Sequence, residues 1–133
     1  MIVVDTNVLA YLYLPNQYTP ATEALLEAHP VWVAPVLWRS EFRNVLALYL
    51  RKKIITYEQA LQIQREAESL MAGNEFEMES AHVLSLVNAS DGSAYDCEFV
   101  SLAMSLNAAL YTMDKKVLKA FPEQACPLKY RGN

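Results

Sequence analysis

Short apolar runs rich in β-branched residues alternate along the chain with longer stretches whose apolar residues recur at helical spacing. Ile2-Val3-Val4 predicts a buried strand ending at Asp5. Thr19-Pro20 has the form of an N-cap followed by a first-turn proline and predicts a helix to about Ala28. Val31-Trp32-Val33-Ala34 is a second strand, after which Pro35 opens a helix to about Lys52. Thr56 and Gln59 have capping-box spacing and begin a helix to about Met71, broken by Gly73-Asn74. Phe76-Glu77-Met78 is a short strand, and Ser80 caps a helix to about Asn88. Asp91-Gly92 is a turn, and Ser93 opens a helix ending near Asn107. Ala109–Thr112 is a strand, Lys115–Phe121 a helix stopped by Pro122, and Pro127–Tyr130 an edge strand. Alternation of this kind predicts an α/β fold: a central parallel β-sheet of four or five strands flanked by helices, with sites at the carboxyl ends of the strands.

At 133 residues the chain has the length of one domain, so residues 1–133 are expected to form a single unit. With 53% hydrophobic residues a real core is available. Its longest apolar stretches, Val31–Trp38 and Val45–Leu50, are too short to span a membrane, and no basic n-region precedes Asp5. A cytoplasmic protein is expected. Cys97 and Cys126 form no CxxC pair, and neither they nor His29 and His82 fall in a metal or catalytic motif. The phosphate-loop, dinucleotide and hydrolase-elbow motifs all lack their residues.

The acids carry the candidate chemistry. Glu41 lies inside a predicted helix with Leu37, Trp38, Val45 and Leu48 at helical spacing. A carboxylate there costs several kcal/mol unless paired, protonated or bound to a cation, and a salt bridge to Arg43 would be one solution. Asp96 leads a face continued by Phe99, Val100 and Ala103, while Glu98 falls with Ser101 and Ser105 on the side expected to be wet. Asp5 and Asp114 stand at strand ends, where each taken singly would be an N-cap. Together the four would crowd one edge of the sheet, repel and raise one another's pKa values. Hard oxygen donors of this kind suit Mg²⁺ or Mn²⁺. The net charge of -4 comes from 15 acids and 11 bases; without these four the remainder would be neutral. Asp91 is read as a turn residue.

Asp5-Thr6-Asn7-Val8-Leu9, Trp38-Arg39-Ser40-Glu41, Tyr95-Asp96 with Leu102-Ala103, and Thr112-Met113-Asp114 are an ordered set that resembles the PIN-domain family, more narrowly the VapC-type toxins of toxin–antitoxin pairs. The resemblance implies a Mg²⁺- or Mn²⁺-dependent endoribonuclease in which Asp5, Glu41, Asp96 and Asp114 form the acidic quartet that holds metal. By position, Thr6, Asn7 and Thr112 match polar residues that support it. Where some members carry a further acid or Asn after the last aspartate, this chain has Lys115-Lys116. Metal-assisted hydrolysis needs no protein nucleophile, and none is arranged here.

RNA binding by an acidic chain must come from local bases: Arg39 and Arg43 beside Glu41, Arg51-Lys52-Lys53, and Lys115, Lys116 and Lys119 after Asp114. Arg51–Lys53 equally suit a helix C-terminus. Tyr11–Leu14 and the stripe Leu46, Tyr49, Leu50 supply apolar surface for a partner or for the core. The resemblance implies a cognate antitoxin on that side, and a homodimer or toxin–antitoxin hetero-oligomer. Two other classes remain: a catalytically inactive PIN-like binding or scaffold module, which the intact quartet disfavours, and a receiver-like domain, which needs an acidic pair after the first strand and an aspartate after the third.

Overall fold

The computed structural model describes residues 1–129. In chain order the elements are β1 (Ile2–Val4), α1 (Thr6–Tyr13), α2 (Thr19–Ala28), β2 (Trp32–Pro35), α3 (Trp38–Arg51), α4 (Tyr57–Leu70), β3 (Glu75–Phe76), α5 (Ser80–Asn88), α6 (Ala94–Leu106), β4 (Leu110–Tyr111), α7 (Lys115–Ala120) and β5 (Ala125–Cys126). Every strand pair is parallel, and the spatial order is β3-β2-β1-β4-β5. The five-stranded parallel sheet flanked by helices is the predicted architecture. Among the described residues no helix is long and apolar enough to cross a membrane.

β1 is the middle strand, paired through Val3 to Val33 on one side and to Leu110 on the other, and its three residues are all buried. Strands covered on both faces read as continuous apolar runs, which is why Ile2–Val4 was legible. From β1 the chain moves outward through β2 to β3, then returns to add β4 and β5 on the opposite side. That reversal makes the carboxyl ends of β1 and β4 the switch point, where open α/β sheets place their ligands.

Local signals set many boundaries. The capping box forms as expected: the Gln59 N–H donates to Thr56 Oγ1 at 3.1 Å and the Thr56 N–H to Gln59 Oε1 at 2.9 Å. The Asp96 N–H donates to Ser93 Oγ at 3.0 Å, and α6 ends at Asn107 in the left-handed conformation, φ 50°. Gly73, at φ 80°, makes the turn after α4.

Other boundaries differ from expectation. α1 was not anticipated: it starts directly after β1 without a capping side chain, on a Thr-Asn-Val sequence of low helix propensity, and is held by burial of Val8, Leu9 and Ala10. Thr19 lies inside α2, with Tyr18 as N-cap, because its hydroxyl donates to the Tyr11 carbonyl at 2.7 Å instead. Glu79, not Ser80, precedes α5. Pro35 ends β2 rather than starting α3. Ala34 and Val36 donate to Asn74 and Phe76, so proline's missing N–H falls on the other side, past the β1 register. β3 lies at Glu75–Phe76, ahead of the expected Phe76–Met78. The last strand is Ala125–Cys126, because Leu110 and Thr112 donate to the carbonyls of Gln124 and Cys126. Of the expected Pro127–Tyr130 strand, Tyr130 lies outside the described residues, and 127–129 are not strand.

Arg39, expected near the site as an RNA-binding residue, is tied into the frame. Its Nε and Nη2 donate to Glu75 at 2.6 and 2.7 Å, and Nη1 reaches Glu68 at 3.2 Å. Glu75 also accepts the Trp38 indole N–H at 2.8 Å. Two residues along a helix turn the side chain by about 200°, which carries Arg39 away from Glu41. Hydrogen bonding to Arg39 holds the Glu75 carboxyl below its ordinary range. A carboxyl lowered on folding stabilises the native state above its unfolded pKa, and that stability is lost as pH falls through the lower folded value. Glu75→Gln is therefore expected to cost about 1–2 kcal/mol near neutral pH, the pair being partly exposed, and much less near pH 3 (order of magnitude). Urea unfolding at both pH values checks this; an equal cost at both would remove the ionic part.

Candidate active site at the switch point

Four of the sequence-derived acids converge on the carboxyl ends of β1 and β4. Asp5 follows β1 as the N-cap residue of α1, but its side chain makes no cap bond. Instead it accepts from Thr112 Oγ1 at 2.7 Å. Thr112, fully buried just beyond β4, also accepts the Asp114 N–H at 3.0 Å. One hydroxyl thus fixes both strand-end aspartates relative to each other. Asp114 caps α7, its Oδ1 accepting from the N–H groups of Lys116 at 2.8 Å and Val117 at 3.3 Å.

Glu41 is half-buried at the margin of α3, whose buried stripe is Trp38, Phe42 and Leu46, while Leu48 is half exposed. It is not paired with Arg43. Thr6 Oγ1, buried on the first turn of α1, donates to Glu41 Oε1 at 2.7 Å. Asp96 lies half-buried on the first turn of α6 and shares a crevice with Asp5, Phe99, Thr112 and Val117. Asn7, on the same turn as Thr6, is exposed, and no hydrogen bond ties it to these acids.

The electrostatics record the convergence. Burial pushes the Asp5 carboxyl up; bonds from Thr112 and the Thr6 backbone oppose this, and the charges of Asp96 and Asp114 add to it. Burial likewise raises Glu41 against the Thr6 bond, with further increments from Asp5, Asp96 and Glu98. Asp96 is raised by burial and by Asp114, and eased down by Ser93 and by the Lys116 cation.

Glu98 is the acid that sequence reasoning missed. Assigned to a wet face with Ser101, it is partly buried, its own carboxyl is raised by that burial, and its charge reaches Glu41. Ser101 itself is buried and bonded to His82 Nδ1 at 2.6 Å, tying α5 to α6. The available signal was that α6 is apolar nearly all round, which marks a helix with little wet face.

Of the candidate bases, Lys116 stands beside Asp96, and Lys115 and Arg43 are exposed. In the apolar segment read as partner surface or core, Leu14 and Leu46 are buried, while Tyr11, Leu12, Tyr13, Tyr49 and Leu50 are partly buried and pack against the core. Tyr11 packs against Tyr18 with the rings tilted by 40° and their centroids 4.8 Å apart.

The donor set is hard oxygen throughout, and its mutual repulsion is the situation a divalent cation relieves. Among the described residues, however, no group of three or more His, Cys, Asp and Glu side chains is gathered into a ready-made cage. Hard oxygen donors of this kind suit a divalent cation whose shell water completes.

A PIN domain family model matches residues 2–123. Among solved structures, the chain is similar to a toxin–antitoxin complex from Klebsiella pneumoniae (TM-score 0.71, 18% identity, covering 95% of this chain and 96% of that one). It is also similar to FitAcB from Neisseria gonorrhoeae (TM-score 0.73, 16% identity, 97% of each chain). FitAB bound to an IR36 DNA fragment matches with TM-score 0.71 and 17% identity over 99% and 100% of the two chains. At these identities the likeness is one of fold. No curated protein sequence matches the chain significantly.

Proposed function

The chain belongs to the PIN domain family, and from that premise we propose that it is a Mg²⁺- or Mn²⁺-dependent endoribonuclease, the cytoplasmic toxin of a toxin–antitoxin pair. The observation that carries this reading is the meeting of Asp5, Glu41 and Asp96 at the switch point, each held above the ordinary carboxylate range by burial and by neighbouring acids. The mutual repulsion in such an arrangement is what a counter-ion would relieve.

In this reading Asp5 and Asp96 are the principal metal ligands, with Glu41 and Asp114 completing the acidic set directly or through water. A bound cation would supply a water of lowered pKa and charge stabilisation at the scissile phosphate. The chain's own part is positional. Thr112 orients Asp5 and anchors the backbone at Asp114; Thr6 orients Glu41. Lys116 sets a cation beside Asp96, where a phosphate would approach. The fold shared with a chain from a toxin–antitoxin complex supports an antitoxin as protein partner.

The test is 5′-end mapping of RNA after brief induction in a bacterial host, wild type beside Asp5→Asn. New ends with wild type alone are expected, and their positions identify the substrate. Matching profiles from two soluble proteins free of antitoxin would overturn the nuclease reading in favour of a binding module.

A further inference from the structure

An open groove of about 750 Å³ runs between the Ala89–Ser93 turn and α7. Asp96 stands where it meets the crevice that holds Asp5, lining both. Along the α7 wall Lys116 and Lys119 are exposed and lie three residues apart, hence on one face of the helix. On the opposite wall Ser90 Oγ donates to the Leu86 carbonyl at 2.7 Å and accepts the Gly92 N–H at 3.1 Å. The charged groups left to meet a ligand are Lys116, Lys119, Asp91 and Asp96.

We propose that this groove holds the single-stranded RNA segment that continues from the bond to be cut, with Lys116 and Lys119 contacting successive phosphates. The proposal rests on the nuclease reading and gives the strand a direction: out of the acidic site, past Asp96, along α7. The groove is too large for one ion, and it is open, as a passing strand requires. Two cations at helical spacing suit an anion that repeats. The reason for choosing a polyanion is the α7 wall alone, where two exposed cations adjoin the acidic site; over the whole lining Lys116 and Lys119 balance Asp91 and Asp96. Asp91, on the turn across from them, keeps phosphates to the lysine side, so the strand would turn its ribose and base edges toward the turn.

The test measures binding, not cleavage. Asp5→Asn serves as the parent, and a short labelled single-stranded RNA of mixed sequence is titrated by fluorescence anisotropy at several salt concentrations and fixed Mg²⁺. Each phosphate contact to a single strand contributes about 0.7 to the slope of log affinity against log salt. Lys119→Ala is expected to weaken binding and lower that slope by about 0.7, and Lys116→Ala with Lys119→Ala by about twice as much. Ala120→Glu, which adds a negative charge at an exposed groove position without removing a lysine, is expected to weaken binding too. Parent slopes in both lysine variants, or no RNA binding by the parent, would overturn the proposal. Slope losses in the variants beside a wild type that cuts no RNA would leave the groove standing and defeat the nuclease reading instead.

Discussion

Asp96→Asn is expected to abolish RNA cleavage while making the metal-free protein more resistant to heat. The two effects share one cause. In the folded chain the Asp96 carboxyl is raised by burial and by the charge of Asp114, so its ionised form is disfavoured. A carboxyl whose pKa rises on folding binds protons more tightly in the native state, so its penalty is absent below the unfolded pKa and fully present above the folded one. At neutral pH asparagine removes that penalty and keeps the backbone bond from residue 96 to Ser93. The gain is modest because the side chain is half exposed: at most about 1 kcal/mol, or a Tm rise of at most about 4 °C. The catalytic loss is far larger. In the proposed reading Asp96 is a metal ligand, and removing one forfeits several kcal/mol of transition-state stabilisation, about a thousandfold or more in rate. Calorimetry with a chelator, near pH 7 and near pH 4, reads the first effect, and the Tm difference is expected to shrink at the lower pH. Adding Mn²⁺ is expected to raise the wild-type Tm more than that of the variant. Cleavage at the wild-type rate, or a lower Tm at neutral pH, would sink the assignment of Asp96.

Phe42→Ala is expected to cost about 3–5 kcal/mol, a large part of the roughly 5–15 kcal/mol that holds a domain together. Phe42 is fully buried and meets Trp38 and Tyr13 edge-on, at centroid distances of 5.7 and 6.3 Å. Through Tyr13 it fastens α1 to α3, the two helices that carry Thr6 and Glu41. Loosening that contact would therefore also weaken the bond that orients Glu41. Phe42→Leu, keeping most of the volume, is expected to cost clearly less. Guanidinium unfolding of the three proteins decides it; a loss below about 1 kcal/mol for alanine would mean that the junction closes around the gap.

The contrast between these variants runs through the whole molecule. The acids of the site are legible in the sequence because each breaks a pattern: Asp5 ends a run of buried β-branched residues, and Asp96 heads an apolar helical face. Phe42 breaks nothing. It is one apolar residue among many on α3, and its importance comes from what lies across from it. The face of Glu98 and Ser101 is less wet than expected for a related reason. Periodicity gives the angle between two side chains on a helix, but the middle of α6 is covered on most sides, so Ser101 on the expected wet face is buried and Glu98 is only partly exposed.

What the sequence determined by itself is whatever depends on neighbours within a turn or two. The buried strand Ile2–Val4, the Thr56–Gln59 capping box, the Ser93 cap and the Asn107 helix end follow from side chains acting on their own backbone. The order of strands and helices follows from the same local signals, and with it the α/β class. Tertiary structure alone decided the rest, because the deciding partners are far apart in the chain. Thr6 meets Glu41 and Thr112 meets Asp5 across separations of 35 and 107 residues. Arg39 was claimed for the frame by Glu75, 36 residues on, which no base count could foresee. α1 formed against its propensity because burial of Val8, Leu9 and Ala10 outweighs the few tenths of a kcal/mol per residue that propensity contributes.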